Sequence, residues 1–127
     1  MESTVSISES EWEVMTLVWS ASPVAAADLV DQLNRKRGWA ARTTRTLLER
    51  LVAKGALTYE QDGKRYLYRP AVTMADCVRR ESRSFLDRVF GGKPGAMLVH
   101  LVKETPLTAD EIADLRRLLK QKEKEKE

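Results

Sequence analysis

The sequence predicts a mainly α-helical chain with one small β-hairpin in its middle, followed by a further all-helical region. Three observations carry that expectation. Helix-start signals stand near both ends, at Ser8-Glu9-Ser10-Glu11 and at Thr108-Ala109-Asp110-Glu111. In each, a hydroxyl residue and a Glu three places on can cap one another's backbone N–H groups. Between them, apolar residues recur mostly at helical spacing. A single strand-like stretch, residues 57–69, breaks the pattern, and Asp62-Gly63 at its centre is a strong signal for a tight hairpin turn.

The first helix opens with Ser8 as N-cap, and Ile7 and Trp12 are placed to staple its start. Trp12, Met15 and Trp19 then share one face, and Ser22-Pro23 breaks the helix. A second helix carries Ala26, Leu29, Val30 and Leu33 on its apolar side and is expected to end near Asn34. The third covers residues 40–54. Its Thr44, Leu47, Leu48 and Leu51 keep core spacing, so Arg42, Arg45, Thr46 and Glu49 fall on the opposite face. Lys54-Gly55 stops it, since Gly accepts the left-handed conformation that ends helices.

The hairpin strands are expected at residues 57–61 and 64–69, around a type I′ turn at Asp62-Gly63, with Pro70 closing the second strand. Thr73 and Asp76 open a long helix that carries Val78, Phe85, Leu86 and Val89 and stops at Gly91-Gly92. A short helix follows over residues 95–103, with Met97, Leu98, Leu101 and Val102 apolar. The last helix, stapled by Leu107 and Ile112, carries Leu115, Leu118 and Leu119, and its Lys/Glu-rich end after Gln121 is expected to fray.

Composition sets the bounds. The 127 residues are 43% apolar and 32% charged, a mix that buries a core and argues against disorder. Cys77 is the single cysteine, which excludes an intramolecular disulfide, and no Cys/His cluster has metal-ligand spacing, so no metal or cofactor is expected. Met1-Glu2-Ser3-Thr4 shows neither a basic nor an apolar leader pattern, and no apolar run reaches the length of a membrane span. A cytoplasmic chain with no membrane association is the expectation. The net charge is only +3, but its distribution is uneven: residues 1–34 sum to −6 and residues 35–54 to +6. A positive charge concentrated in so short a segment is the pattern of a polyanion-binding element.

Helix, helix, helix, hairpin is the winged helix-turn-helix order, with the third helix as reader and the hairpin as wing. The expected division is residues 1–70 for that unit and 71–127 for a helical region. Lys64 and Arg65 flank the wing turn and are candidates for holding phosphates; alternatively they protect a sheet edge. Arg45 and Glu49, four residues apart, suit either an exposed binding face or an ordinary helix pair. The 55 residues from Thr73 onward are too few to bury their own apolar side chains. A second copy covering Phe85, Leu86, Val89, Leu101 and Leu115 is therefore expected.

An ordered set of segments resembles the penicillinase repressor (BlaI/MecI) family. It runs through Ile7-Ser8-Glu9-Ser10-Glu11-Trp12-Glu13-Val14-Met15, Gly38-Trp39, Thr43-Thr44-Arg45-Thr46-Leu47-Leu48 and Arg50-Leu51 before Lys54-Gly55. It continues in Arg65-Tyr66-Leu67-Tyr68, Glu81-Ser82-Arg83-Ser84-Phe85-Leu86-Asp87 and Glu111-Ile112-Ala113-Asp114-Leu115-Arg116. The resemblance implies a homodimeric transcriptional repressor on an inverted-repeat DNA operator, with a C-terminal helical dimerisation region, and genes of β-lactam or cell-wall stress response under its control. It places Arg42, Thr43, Arg45 and Thr46 at DNA-contacting reader positions. Their chemistry fits, since Arg grips guanine or phosphate and Thr offers a hydroxyl and a methyl to a groove edge.

Relatives that respond to β-lactams are cut by a membrane-sensor protease, and the resemblance puts that cut at His100-Leu101, where those relatives carry Asn-Phe. A related branch senses copper through paired cysteines near its C-terminus; Cys77 is alone and mid-chain, so that role is not carried over.

Other chemistry finds little support. His100 has no Cys, His or carboxylate company for a metal and no nucleophile motif for catalysis. Gly91-Gly92 reads as a helix stop, not a phosphate loop. Trp12, Trp19 and Trp39 read as packing residues. Besides DNA binding, one alternative stays open at this point: a winged-helix module that docks an acidic protein partner without operator specificity. An enzyme is not expected.

Overall fold

The computed structural model describes residues 5–127; the leader reading of Met1-Glu2-Ser3-Thr4 lies outside the described residues. The chain divides into two compact units, one ending at Ser84 and the other spanning Phe85–Glu127. The first holds α1 (Glu9–Ala21), β1 (Val24–Ala25), α2 (Ala26–Arg37), α3 (Ala41–Ala53), β2 (Leu57–Asp62), β3 (Arg65–Pro70) and the start of α4 (Met74–Phe90). The second holds the end of α4, then α5 (Pro94–Glu104) and α6 (Ala109–Glu125).

The capping box expected at α1 forms. Ser8 N donates to Glu11 Oε1 at 2.8 Å, and Glu11 N donates to Ser8 Oγ at 3.2 Å. Val14, Met15 and Val18 of α1 are fully buried, together with Leu29 and Leu33 of α2, Leu48 and Leu51 of α3, and Leu57 of β2. Trp12 and Trp19 are only partly buried against this core and meet edge to face, 5.4 Å between ring centroids. Trp19 Nε1 donates to the Val72 carbonyl at 3.0 Å, which ties α1 to the segment after the sheet.

Several expectations shift. α2 continues past Asn34 to Arg37 and ends at Gly38, φ 70°. The apolar periodicity stops at Leu33, but the extra turn is Arg35-Lys36-Arg37, cations that suit the negative end of a helix dipole. The hairpin turn sits one residue later than expected. Asp62 pairs with Arg65, so the two-residue loop is Gly63-Lys64, not Asp62-Gly63. Gly63 has φ 64°, and no other residue type among the described residues has positive φ. Type I′ needs positive φ at both central positions; Gly first and Lys second fits type II′.

A two-residue strand, β1, was not expected. It pairs antiparallel with β3, Val24 with Tyr68 and Ala25 with Leu67, giving the sheet order β1-β3-β2. The division between units falls at Ser84/Phe85 rather than at 70/71, because Cys77 of α4 packs fully buried into the first core. The end of α6 is helical to Glu125, beyond the expected fraying point at Gln121.

Among the described residues, one charged side chain lies inside. Glu11 is 1% exposed and receives the Lys54 ammonium at 2.5 Å. Lys54 Nζ also donates to the Ser6 carbonyl at 2.9 Å. Burial pushes the Glu11 carboxyl up, but the hydrogen bonds from Lys54 and from Ser8 outweigh it and hold the group below the ordinary carboxylate value.

The substitution Lys54→Met leaves that carboxylate buried with no cation. A fully buried pair broken this way costs about 3–5 kcal/mol. The Lys54 side chain is itself 37% exposed, so we expect a smaller loss, about 1–3 kcal/mol. The pH dependence has a definite sign. A carboxyl held low in the folded state stabilises fully above its unfolded pKa, and that stability is lost as pH falls through the folded value. In Lys54→Met the same carboxyl is pushed up, so the deficit against wild type narrows as pH falls from about 7 to about 4. Urea midpoints of both proteins at the two pH values check this; a constant deficit contradicts it.

Candidate nucleic-acid interface

The polar face of α3 is built by helical spacing alone. Taken at 100° per residue, Arg45, Glu49, Arg42, Thr46, Arg50 and Thr43 follow one another across one side, and all are exposed. Thr44, Leu47, Leu48 and Leu51 occupy the other side and are buried. The structure therefore brings together all four reader-helix candidates, Arg42, Thr43, Arg45 and Thr46. It adds Arg50, which sequence reasoning left out although the same helical wheel identifies it.

Charge pairing separates the basic residues of this region into two groups. Arg35 pairs with Asp31 at 2.7 Å, Lys36 lies 3.8 Å from Glu13, Arg37 pairs with Glu13, and Lys54 pairs with Glu11. The Arg37 guanidinium holds the Glu13 carboxyl below its ordinary value. Arg42, Arg45 and Arg50 form no ion pair among the described residues, and the possible helix pair of Arg45 with Glu49 is not made. Acids of α1 and α2 thus pair with the flanks of the basic segment, while on the α3 face three arginines stand without an ion pair and one carboxylate, Glu49, shares the face. No large apolar side chain is exposed on that face.

At the wing, Lys64 lies in the turn itself and carries no ion pair among the described residues. Arg65 pairs with Asp62 at 3.1 Å, and Arg69 with Glu60 at 3.3 Å. Both pairs are exposed, and such pairs are readily exchanged. Trp39, just before α3, is partly buried against the core, and its carbonyl accepts a bond from Asn34 Nδ2 at 3.0 Å.

The second unit has a different character. No residue of α5 or α6 is buried. Phe85, Val89 and Leu101 are exposed, while Leu86 and Leu115 are half-buried. Leu98, Val102, Ile112, Leu115 and Leu119 line an apolar groove of about 540 Å³ between α5 and α6. His100 and Leu101 lie in the interior of α5, with the His100 ring 6.0 Å from that of Phe90. A protease reaching that bond has to unwind a helix first.

Among the described residues no group of His, Cys, Asp and Glu is arranged to hold a metal ion, and no helix is long and apolar enough to cross a membrane. Burial pushes the Cys77 thiol up, away from the reactive thiolate.

The sequence profile of the penicillinase repressor family matches residues 7–121. The chain belongs to the penicillinase repressor family. A 16.5 kDa protein encoded in the ptsI 3′ region of Latilactobacillus sakei is 39% identical to it, over 93% of this chain and 81% of that one. The methicillin resistance regulatory protein MecI of Mammaliicoccus sciuri is 32% identical, over 94% of this chain and 97% of its own. The solution structure of monomeric Bacillus licheniformis BlaI in complex with the blaP half-operator matches at a TM-score of 0.54 and 32% identity, covering 60% of this chain and 93% of that one. The winged-helix fold expected from the order of elements is thus the fold found, and the family is one of repressors rather than enzymes.

Directly behind the polar face, Thr44 is fully buried and its hydroxyl has no hydrogen-bond partner among the described residues. An unsatisfied buried hydroxyl costs stability that an isosteric methyl does not. Thr44→Val is expected to raise stability by about 1 kcal/mol, read as a higher urea midpoint with an unchanged denaturant slope. A lower midpoint contradicts this reading of Thr44.

Proposed function

We propose that this protein represses transcription by binding an inverted-repeat DNA operator as a homodimer. α3 lies in the major groove, and Lys64 of the wing rests on the phosphate backbone. The observation that carries this reading is the cationic face of α3, where Arg42, Arg45 and Arg50 stand without ion pairs among Thr43 and Thr46 while neighbouring basic residues are consumed by intramolecular carboxylates. Arg and Thr together suit base edges and phosphates. A protein-docking face ordinarily offers an apolar anchor, which this face lacks. The half-operator complex of BlaI supports the same reading by kinship.

The homodimer follows from the second unit. A segment whose two last helices bury none of their own residues leaves Leu98, Val102, Leu118 and Leu119 in water. Pairing with a second copy about a twofold axis removes that area from solvent and sets two reader helices on two half-sites.

Selection of duplexes from a randomised library by the wild-type protein tests the reading. The selected duplex is expected to contain an inverted repeat. Two protomers making about three to five phosphate contacts each give a log–log salt slope of roughly −5 to −9. Arg45→Ala is expected to weaken the selected duplex by about 1–3 kcal/mol. Arg35→Ala, whose guanidinium is already engaged by Asp31, is expected to change it little. Lys64→Ala weakens selected and shuffled duplexes alike. Equal effects of Arg45→Ala and Arg35→Ala contradict the reader-face assignment, and a stable monomer in sedimentation at micromolar concentration contradicts the dimer.

A further inference from the structure

The side of the hairpin that faces α3 carries three tyrosines. Tyr59 and Tyr68 are directly opposite in the β2–β3 ladder, and Tyr66, two residues before Tyr68, shares their face. Tyr59 meets Tyr66 edge to face with 5.5 Å between centroids, and its ring lies 5.8 Å from that of Tyr68. These rings form one wall of a cleft of about 490 Å³, and Arg45, Glu49 and Val52 of α3 form the other.

The roles of the three rings differ. Tyr68 is half-buried and packs against the core. Tyr59 is 52% exposed and Tyr66 43%, so neither is needed to fill the interior. Their position along the ladder supplies a reason for them. β1 supports β3 only at Leu67 and Tyr68. From Tyr66 outward, the hairpin has no third strand. A two-stranded ribbon is marginal by itself. The Tyr59–Tyr66 contact bridges that point, with Tyr59 opposite the supported residue Tyr68 and Tyr66 the first residue beyond it.

We propose that Tyr59 and Tyr66 are positioning residues for DNA recognition. Their rings, in contact with each other and through Tyr59 with the core-packed Tyr68, brace the root of the overhanging wing and so fix Lys64 at the wing tip relative to Arg45 across the cleft. A base-edge contact by Arg45 and a phosphate contact by Lys64 then form in one register. The inference rests on the operator-binding reading above. It assigns the tyrosines no contact with DNA, only the geometry between two residues that make one.

Four variants test it on the intact chain: Tyr59→Leu with Tyr66→Leu, Tyr59→Phe with Tyr66→Phe, Lys64→Ala alone, and Lys64→Ala combined with the Leu pair. The probes are the duplex selected by the wild type and a shuffled duplex of equal composition. The Leu pair is expected to lose about tenfold in affinity for the selected duplex, with a clearly smaller loss on the shuffled one. The Phe pair keeps the rings and is expected to bind like the wild type; a loss there means that the hydroxyls touch DNA and overturns the positioning role. Lys64→Ala is expected to cost less on the Leu background than on the wild type, because a mis-set wing no longer delivers the lysine; additive costs overturn the proposal. Tyr66→Leu alone repeats the test if the Leu pair fails to fold. A wild-type protein that selects no duplex overturns the operator reading itself and this inference with it.

Discussion

The contact between Glu11 and Lys54 joins the first turn of α1 to the end of α3, and much of the first unit's geometry depends on it. Glu11 does two jobs with one carboxylate. It closes the capping box on Ser8 and receives the ammonium of Lys54 across 43 residues of chain. A carboxylate this deeply buried is tolerated only while its hydrogen bonds persist. The pair therefore restricts where α3 can end, and through α3 it restricts how the polar face of that helix is presented. The apolar residues Leu47, Leu48 and Leu51 supply the burial energy, but apolar contact is not directional. The ion pair adds the direction.

The same acids explain the charge pattern of the chain. Six carboxylates precede seven basic residues, and a near balance over residues 1–54 conceals a marked separation in space. Glu11, Glu13 and Asp31 engage Lys54, Lys36, Arg37 and Arg35. Of the basic residues between 35 and 54, those left unpaired are Arg42, Arg45 and Arg50, on a single helix face. Within this segment the free cations all stand on one element, which directs a polyanion better than the same charge spread evenly over it. The modest net charge of +3 is therefore compatible with a local field that is strongly positive.

How much of this was legible in the sequence depended on whether the signal was local. Both capping boxes, the break at Ser22-Pro23 and the division of α3 into a polar and a buried side follow from side chains within one or two turns of each other, and all are present in the structure. The ends of α2 and α6 lie beyond what the sequence marks, because periodicity of apolar residues marks a buried stripe, not a helix, and polar turns such as Arg35-Lys36-Arg37 extend a helix without extending the stripe. β1 was invisible because two residues, Val24 and Ala25, form no pattern; the strand exists only through its partner β3. The turn moved by one residue because Asp-Gly and Gly-Lys both admit a two-residue loop, and the choice rests on ladder register. Pairings such as Glu11 with Lys54 were out of reach for the same reason, since a charge pair distant in sequence has no local mark.

The two units solve opposite problems with the same kind of helix. In the first unit, α1, α2 and α3 each bury an apolar stripe against the others and leave a polar face outward. In the second, α5 and α6 have comparable apolar side chains yet bury none of them. Their sequences do not differ in kind. They differ in the number of partners available, because a hairpin and three helices surround a core in the first unit while the two helices after Phe90 do not. The first unit therefore closes its core within one chain, while α5 and α6 leave their apolar side chains exposed. Under the proposed dimer, that difference is useful. A DNA-binding unit that folds without a partner, attached to an assembly unit that needs one, lets occupancy of two half-sites respond to events in the assembly unit. The reader helix itself need not change, because losing the second head removes the effective-concentration gain of bivalent binding.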